Sequence, residues 1–335
     1  MVLTNKNKAT LKTIAKELNV SVSTVSRAFT LPDSVKSSTL EKIMEVSDRL
    51  NYTPNLNARA LVQQKTHIVG LILQSLRNQP IDPLVKQITR LLSSMSYDIH
   101  IFVTYDDDQL NEEAIKSCIC RGYDGVIINH SHFEGKMVAI ETLISKNIPF
   151  VVLGQYDYSP ASQVIGDFKL SGMVMTKHLI ELGHNNIAFL TNSNADPRYD
   201  GYLNMLNQHK LPVRPELFFQ CPCRQDKINE TVKEIAKTNA TALFANYDEM
   251  AIRAIRAFKE IGIKVPDQIS VVGVGNEMYD DLITPALTTF AINTDHLAEN
   301  LVDSLFEQIK KPTSPTKKIL LNGNIIIRES TKKLI

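Results

Sequence analysis

The chain has 335 residues and a formal net charge of +1, and none of its apolar stretches approaches the ~18 residues of a membrane-spanning helix. A chain of this length usually has more than one hydrophobic core, so two or three domains are expected. The lysine-bearing N-terminus lacks the apolar core of a secretory signal, which favours a cytoplasmic location without membrane contact. Residues 1–66 carry ten basic and five acidic side chains, whereas the rest has a surplus of four acidic ones, which indicates a polyanionic partner for the N-terminal region alone.

The first predicted elements form a helix-turn-helix unit. The apolar spacing in TLKTIAKEL, residues 10–18, predicts a short amphipathic helix with Thr10 as its N-cap. Asn19 follows, and asparagine is one of the few residues besides glycine that tolerates a left-handed turn. Ser21 then caps a second helix, whose inward side chains are predicted to be Val25, Ala28 and Phe29. The hydroxyl groups of VSVSTVSRAF therefore face solvent or a partner.

The outward face of this second helix suits the DNA major groove, where the second helix of such a unit can lie. Its small side chains allow close approach, Arg27 reaches guanine or phosphate, and Val22 reaches a thymine methyl group. A polar helix in an ordinary small bundle has the same spacing, so the pattern alone leaves both interpretations open. The predicted DNA contacts of this unit are Thr10, Ser21, Val22, Ser23, Thr24, Ser26 and Arg27.

A third helix and a short segment after it complete the N-terminal region. The apolar pattern of residues 40–50 marks the third helix, which ends before Pro54. NLNARAL, residues 55–61, predicts a short helix with an exposed leucine and no core of its own. Such a helix is typical of two copies that meet over DNA and insert apolar wedges into the minor groove. Its predicted DNA contacts are Asn55, Ala58, Arg59 and Leu61.

The two segments TLKTIAKELNVSVSTVSRAF and VKSSTLEKIMEVSDRLNYTPNLNARAL resemble the headpiece and hinge of the LacI/GalR family of bacterial transcription regulators. The resemblance covers roughly residues 9–65. It implies that Val22 and Ser23 read the operator sequence, that Arg27 is the family's near-invariant arginine, and that Leu61 is the hinge leucine inserted into DNA. Two residues depart from the pattern: Asn19 replaces the usual turn glycine, and Val62 stands where a smaller residue is common.

From Ile68 onward, short apolar runs alternate with helical patterns, which predicts parallel sheets with helices on both faces. Two such halves fit the length, and ligands of such sheets bind beyond the carboxyl ends of the strands. The segments KHLIELGHNNIAFLT, RYDGY, ANYDEMAIRAI, GIKVPDQISVVGVGN and PALTTFAIN resemble the same family over residues 67–330. The resemblance implies an α/β chain: an N-terminal all-α helix-turn-helix headpiece with a hinge helix, then a type I periplasmic-binding-protein-like core of two doubly wound parallel-sheet subdomains.

The resemblance also implies the boundaries of these parts. The headpiece is expected at residues 9–66, with its hinge helix at 55–62. The N-subdomain of the core is expected at residues 67–165 and 294–330, because the family's chain returns to it, and the C-subdomain at 166–293. The effector cleft is expected between the two subdomains.

Three positions of the C-subdomain carry the effector prediction. Arg198 matches the arginine that binds ligand hydroxyls or acids; the alternatives are a solvated arginine at the start of a helix and a capping salt bridge. Asp248 belongs to an Asn-Asp step in the family, but Tyr247 replaces its asparagine, and Asn276 stands where the family has an aspartate that accepts sugar hydroxyls. The loss of this acid, together with Arg77 after the first strand, favours a phosphorylated sugar over a neutral one.

Polar residues at the predicted strand ends complete the candidate effector site, although each of them occurs more often as a simple loop residue than as a ligand contact. The candidates are Gln74, Ser75, Asn129, Gln155 and Asn192.

The sequence lacks the patterns of a dinucleotide-binding, metal-binding or catalytic site. The segment GVGNEM lacks the third glycine of a dinucleotide loop. His178 and His184 have no acid or cysteine at ligand spacing, and no serine or cysteine lies in a nucleophile elbow. The pairs Cys118 with Cys120 and Cys221 with Cys223 lack the usual zinc spacing. We therefore expect no enzyme activity, cofactor or metal.

The sequence as a whole predicts a homodimeric, sequence-specific transcription regulator, most simply a repressor. It is expected to bind a near-palindromic operator in double-stranded DNA and to respond to a sugar or phosphorylated sugar. The main alternative is a solute-binding protein with the same core, which a missing secretion signal and a basic headpiece disfavour.

Overall fold

The computed structural model describes residues 9–53, 60, 65–76, 81–105, 107–129, 138–154, 160–193 and 195–334. Contacts divide the chain into two compact units, residues 1–67 with 122–124 and residues 68–121 with 125–335. Within the described ranges, the helices are all too short or too polar to cross a membrane.

The first unit contains the predicted helix-turn-helix. Its helices are α1 (Leu11–Leu18), α2 (Val22–Thr30) and α3 (Ser37–Arg49), with a one-turn 3-10 helix at Pro32–Ser34. The side chain of Thr10 accepts from the backbone of Thr13 and the Thr13 side chain accepts from the backbone of Thr10, so each satisfies a donor that the first turn leaves open. The expected left-handed turn at Asn19 is present, with φ 52°.

A small apolar core holds these helices together. The buried side chains come from all three helices, and the half-buried rings of Phe29 and Tyr52 pack with their centroids 5.5 Å apart. The inward face predicted for α2 is confirmed for Val25 and Ala28, which are buried. The predicted hinge helix at 55–62 lies, apart from Ala60, outside the described residues. The core is formed by Ile14, Ala15, Val25, Ala28, Ile43 and Val46.

The second unit alternates strands and helices, as predicted. Its elements in chain order are β1 (Ile68–Leu73), α4 (Ile81–Ser94), β2 (Asp98–Val103), α5 (Asp108–Cys120), β3 (Gly125–Asn129), α6 (Val138–Ser145), β4 (Phe150–Leu153), β5 (Ser162–Gly166), α7 (Phe168–Glu181), β6 (Ile187–Thr191), α8 (Pro197–Gln208), β7 (Phe218–Gln220), α9 (Gln225–Ile235), β8 (Ala242–Ala245), α10 (Asp248–Glu260), β9 (Ser270–Val274), β10 (Thr288–Ile292), α11 (Thr294–Lys310), β11 (Lys318–Leu321) and β12 (Gly323–Ile326).

These strands form two sheets. The first has the order β11-β5-β4-β3-β1-β2, and all its pairs are parallel. The second has the order β12-β10-β9-β8-β6-β7 and is parallel except for the pair of β10 and β12. β3 and β9 are buried along their whole length, as expected for parallel strands covered by helices on both faces. The predicted core of two parallel-sheet subdomains is confirmed.

The chain crosses between the two sheets after β5, after β10 and after β11. The crossing segments lie close together, since a Cβ built on Gly166 would be 2.0 Å from Cδ1 of Ile292. The helix α11 packs on the first sheet, and β11 joins the edge of that sheet. The prediction that this return extends to residue 330 is wrong, because β12 pairs antiparallel with β10 and so joins the second sheet.

Two glycines bring the starts of α7 and α8 together. A Cβ built on Gly172 of α7 would lie 2.1 Å from the carbonyl oxygen of Arg198, and one built on Gly201 of α8 would lie 2.1 Å from that of Lys169. The two helices can therefore pack backbone to backbone only because both residues lack a side chain. This packing places Phe168, at the start of α7, beside Arg198, at the start of α8.

Candidate functional site

The residues predicted to contact DNA have two different local roles. The hydroxyl of Ser21 accepts from the backbone N–H of Thr24 at 3.0 Å and so caps α2. Thr10 caps α1 in the same way. Ser21 Oγ also lies 2.7 Å from the hydroxyls of Ser23 and Thr24, so these hydroxyls are oriented by one another. The capping residues therefore shape the unit, whatever else they contact.

The outward face of α2 consists of Val22, which is 41% exposed, with Ser23 and Arg27, which are also exposed. Thr24 and Ser26 are half-buried. Within the described part of the chain, the side chain of Arg27 forms neither an ion pair nor a hydrogen bond, so its guanidinium group is available to a partner. The remaining predicted DNA contacts lie outside the described residues: Asn55, Ala58, Arg59 and Leu61.

The second unit contains a cleft that encloses about 600 Å³, part of it open to solvent. Pockets of this size hold small organic ligands. Its wall combines an apolar majority with a few polar groups, which come from the two subdomains. The lining residues are Leu84, Phe168, Arg198, Tyr247, Val274, Gly275, Glu277, Phe290, Ile292, Thr294 and Leu297.

Arg198 is the cation of this cleft, and it is only 3% exposed. Its Nη1 donates to Oδ1 of Asp196 at 3.1 Å, and its backbone N–H donates to the same oxygen at 3.0 Å. The guanidinium carbon lies 4.0 Å from the ring centroid of Phe168 and 4.5 Å from that of Tyr247, so two π faces help to hold the charge. Arg198 thus lines the cleft and also forms the salt bridge considered as its alternative role.

A network of neutral donors supports Asp196. Its Oδ2 accepts from Thr191 Oγ1 at 3.0 Å and from Asn246 Nδ2 at 2.8 Å. Asn246 is fully buried and also donates to Oδ1 of the exposed Asn192 at 3.0 Å. These bonds fix the position of the Asp196 carboxylate, which in turn orients Arg198. Sequence reasoning missed Asn246, although a polar residue directly after the apolar run of β8 was a signal for it.

Asp248 and Asn276 were expected to meet the ligand, but neither is among the described residues that line the cleft. Asp248 is fully buried, accepts from Thr289 Oγ1 at 2.6 Å and from the backbone of Glu277 at 3.3 Å. Burial raises the pKa of its carboxyl group above the ordinary value. Oδ1 of Asn276 accepts from Arg328 Nη2 at 2.7 Å. Both residues therefore build the wall behind the cleft.

Glu277, directly after Asn276, is the carboxylate that lines the cleft. Sequence reasoning missed it because the family resemblance points to the position of Asn276 for the acid and not to the next one. A carboxylate that can accept hydrogen bonds from sugar hydroxyls, which the sequence analysis expected to be missing, is therefore present one position further along. Of the other predicted effector contacts, Tyr247 lines the cleft.

The strand-end candidates are not brought together around the described cleft. Asn129 is buried, Gln74 and Ser75 are half-buried, and Asn192 is exposed, and none of the four is among the described lining residues. Arg77 and Gln155 lie outside the described residues.

The described residues include no group of three or more histidine, cysteine or acidic side chains that could hold a metal ion. The four cysteines are free, and burial raises the pKa of Cys118 to about 12 and that of Cys223 to about 11. Both thiols are therefore protonated and unreactive near neutral pH.

Comparisons with known proteins agree with this geometry. The family model of bacterial regulatory proteins of the lacI family matches residues 10–55, and that of a periplasmic binding protein-like domain matches residues 176–331. The probable HTH-type transcriptional repressor ExuR of Bacillus subtilis (strain 168) is 31% identical over 334 residues, which cover 97% of this chain and 99% of that protein.

Solved structures give the same fold. The lac repressor dimer bound to operator and the anti-inducer ONPF has a TM-score of 0.84 at 23% identity and covers 97% of this chain and 100% of its own. A LacI family transcriptional regulator from Enterococcus faecalis V583, with bound ribose, has a TM-score of 0.69 at 27% identity and covers 80% of this chain and 100% of its own.

Proposed function

This chain is a DNA-binding transcriptional repressor of the lacI family of bacterial regulatory proteins, and we propose that a sugar bound in the cleft of its core controls its hold on the operator. Its relatives are transcriptional regulators and not enzymes, and neither is this chain. Effector and operator are coupled reciprocally: the factor by which the sugar changes operator affinity is also the factor by which the operator changes sugar affinity.

On the DNA side, two copies of the chain bind a near-palindromic operator, because a two-fold symmetric protein selects a two-fold site. The exposed Val22, Ser23 and Arg27 of α2 contact base edges and phosphates in the major groove. Leu61 of the hinge is the apolar wedge for the minor groove. The observation that supports this proposal is the exposed face of α2, where the guanidinium group of Arg27 pairs with no described residue.

On the effector side, the observation that carries the proposal is the guanidinium group of Arg198. It lines the cleft, and Nη1 is the only one of its side-chain nitrogens to donate to a described residue, so donors remain for the hydroxyls of a ligand. The carboxylate of Glu277 supplies an acceptor in the same cleft. Donors and acceptors on a largely apolar wall are what a sugar requires, with its hydroxyl groups and apolar ring faces.

The balance of charge favours a neutral sugar over a phosphorylated one. Arg198 is already neutralised by Asp196, and the nearby lining residue Glu277 is an acid. Among the described lining residues, a phosphate group therefore meets the carboxylate of Glu277 and no positive charge that is not already paired. Arg77, on which the prediction of a phosphorylated sugar depended, lies outside the described residues.

A titration of operator DNA tests the DNA side. The operator is selected from a random-sequence pool, and its affinity is measured by fluorescence anisotropy at several salt concentrations. A protein that contacts six or more phosphates loses about a thousandfold in affinity between roughly 50 mM and 200 mM salt. Failure to enrich any sequence, or a flat dependence on salt, contradicts the proposal.

Thermal-shift measurements test the effector side with ribose, glucose, ribose 5-phosphate and glucose 6-phosphate as probes. At about a hundred times its dissociation constant, the effector adds ~2.7 kcal/mol of stability. Arg198→Lys keeps the charge but loses the planar donor group, so the shift is expected to fall, whereas Arg224→Lys on an exposed arginine is the matched control. If only the two phosphorylated probes raise the unfolding temperature, the proposal of a neutral sugar is wrong. If none of the four probes raises it, these sugars are not the effector.

A further inference from the structure

The segment that carries Glu277 into the cleft contains a buried acid, Asp280, that the proposed function does not use. Asp280 is fully buried. As an ionised carboxylate, it would have no hydrogen-bond donor for either oxygen among the described residues. Nη1 of Arg328 is 3.7 Å from Oδ2, too far for a hydrogen bond. A buried carboxylate without a donor is strongly unfavourable, so another arrangement must satisfy this group.

The neighbouring group that can satisfy it is the carboxyl group of Asp248, which is within hydrogen-bonding reach of the Asp280 side chain. Two carboxyl groups can form such a bond only if one of them carries a proton. Asp248 accepts from Thr289 Oγ1 and from the backbone N–H of Glu277, and both bonds stabilise its anion. Asp280 lacks such donors, so the proton belongs on Asp280.

We propose that Asp280 is a positioning residue that carries a proton at neutral pH and donates it to Asp248, which holds the segment from Gly275 to Asp280 against α10 as one wall of the cleft.

The charges around the pair agree with this assignment. Asp248 faces Asp280 from α10, Glu277 faces it from its own segment, and Arg328 faces it from the chain after β12. Burial, then the charge of Asp248, raises the pKa of Asp280 from its ordinary value of 3.8 to about 9, and Arg328 opposes the shift only in part. One acid of the pair is therefore neutral across the physiological range.

The shared proton acts on the cleft through the backbone around Asp280. The N–H of Asp280 donates to the carbonyl of Glu277 at 3.1 Å, and its carbonyl accepts from the N–H of Leu287 at 2.7 Å. The N–H of Glu277 donates to Asp248. The bond between Asp280 and Asp248 thus closes a ring of contacts that sets the position of Glu277. The pair of Asp248 and Asp280 borders the effector cleft of the proposed function. Its protonation is measured without an effector, so this inference can fail while the proposed effector site holds, and the reverse.

Asp280→Asn is the direct test, because its amide donates to Asp248 but does not titrate. Between about pH 5 and about pH 9 the folded wild-type protein holds one proton that the unfolded chain releases. Its unfolding equilibrium constant, measured by urea denaturation, is therefore expected to rise about tenfold per pH unit relative to that of Asp280→Asn. Asp281→Asn, at the exposed neighbouring acid, is the matched control and is expected to keep the wild-type pH dependence.

A constant ratio of wild-type to Asp280→Asn unfolding constants over this range would overturn the proposal. A second measurement needs no variant: the infrared spectrum of protein with 13C-labelled aspartate is expected to show the C=O band of a protonated carboxyl group at pH 7 that disappears above pH 9. Absence of the band at pH 7 overturns the proposal, even if Asp280→Asn does not fold. Persistence of the band in folded Asp280→Asn also overturns it, since the proton then belongs to another acid.

Discussion

Arg27 on α2 and Arg198 in the cleft carry the same charge in opposite surroundings. Arg27 is exposed and forms no ion pair with a described residue, whereas Arg198 is buried, paired with Asp196 and held between two aromatic rings. An exposed charge needs no compensation within the fold, but a buried one is tolerated only with a partner. The outer face of α2 can therefore change without loss of stability, whereas the cleft cannot.

The largest effect is expected from Asp196→Ala, which removes the partner of Arg198. The buried guanidinium group then lacks its counter-charge, and Thr191 and Asn246 lose an acceptor, so the free energy of unfolding falls by about 3–5 kcal/mol. Urea denaturation measures the loss, with Asp200→Ala, at an exposed acid of α8, as the control. A loss below about 1 kcal/mol would show that the cleft tolerates an unpaired arginine.

Arg27→Ala is the counterpart on α2. Operator affinity is expected to fall by about 1–3 kcal/mol, because a base or phosphate contact is lost. The free energy of unfolding is expected to change by less than about 0.5 kcal/mol, because no described residue depends on this side chain. Anisotropy titrations and urea denaturation check the two values, with Lys42→Ala on α3 as a matched loss of one exposed charge. Reduced stability would remove the contrast between the two regions.

Ser21→Ala tests a residue of the α2 surface that does have an internal role. Its hydroxyl caps the helix, so the headpiece is expected to lose about 1 kcal/mol of stability. Ser38→Ala, at an exposed serine of α3 whose side chain bonds to no described residue, is the control and is expected to leave the stability of the headpiece nearly unchanged. Circular dichroism during thermal unfolding separates the two, and equal effects of both substitutions would contradict the capping role.

The smallest effect is expected at the exposed ion pair of Glu17 and Arg49 in the headpiece. Glu17→Gln should lower the free energy of unfolding by less than about 1 kcal/mol, and by still less in high salt, because water screens exposed charges. Removal of the acidic partner of an arginine is expected to cost several times more at Asp196, whose ion pair is buried. Denaturation at low and high salt measures the difference, and Glu45→Gln on α3 is the control. A salt-independent loss would show that the headpiece pair is not governed by solvent screening.

The headpiece was predictable because its determinants are local. Thr10, Asn19 and Ser21 act on backbone groups within three or four residues, and their roles as caps and turn were read from their spacing. The cleft was predicted only in part. Of the residues predicted to contact the effector, Arg198 and Tyr247 line the cleft, whereas Asp248 and Asn276 lie behind its wall.

By itself, the sequence determined the helix-turn-helix and the alternation of strands and helices, because each leaves a periodic pattern or a short motif. Only the tertiary structure decided which polar residues at the strand ends meet. It brought Asn246 to Asp196, Arg328 to Asn276, Asp280 to Asp248, and β12 to the second sheet. These contacts join segments far apart in the chain, and their geometry depends on how helices and strands pack, which a local pattern of residues does not specify.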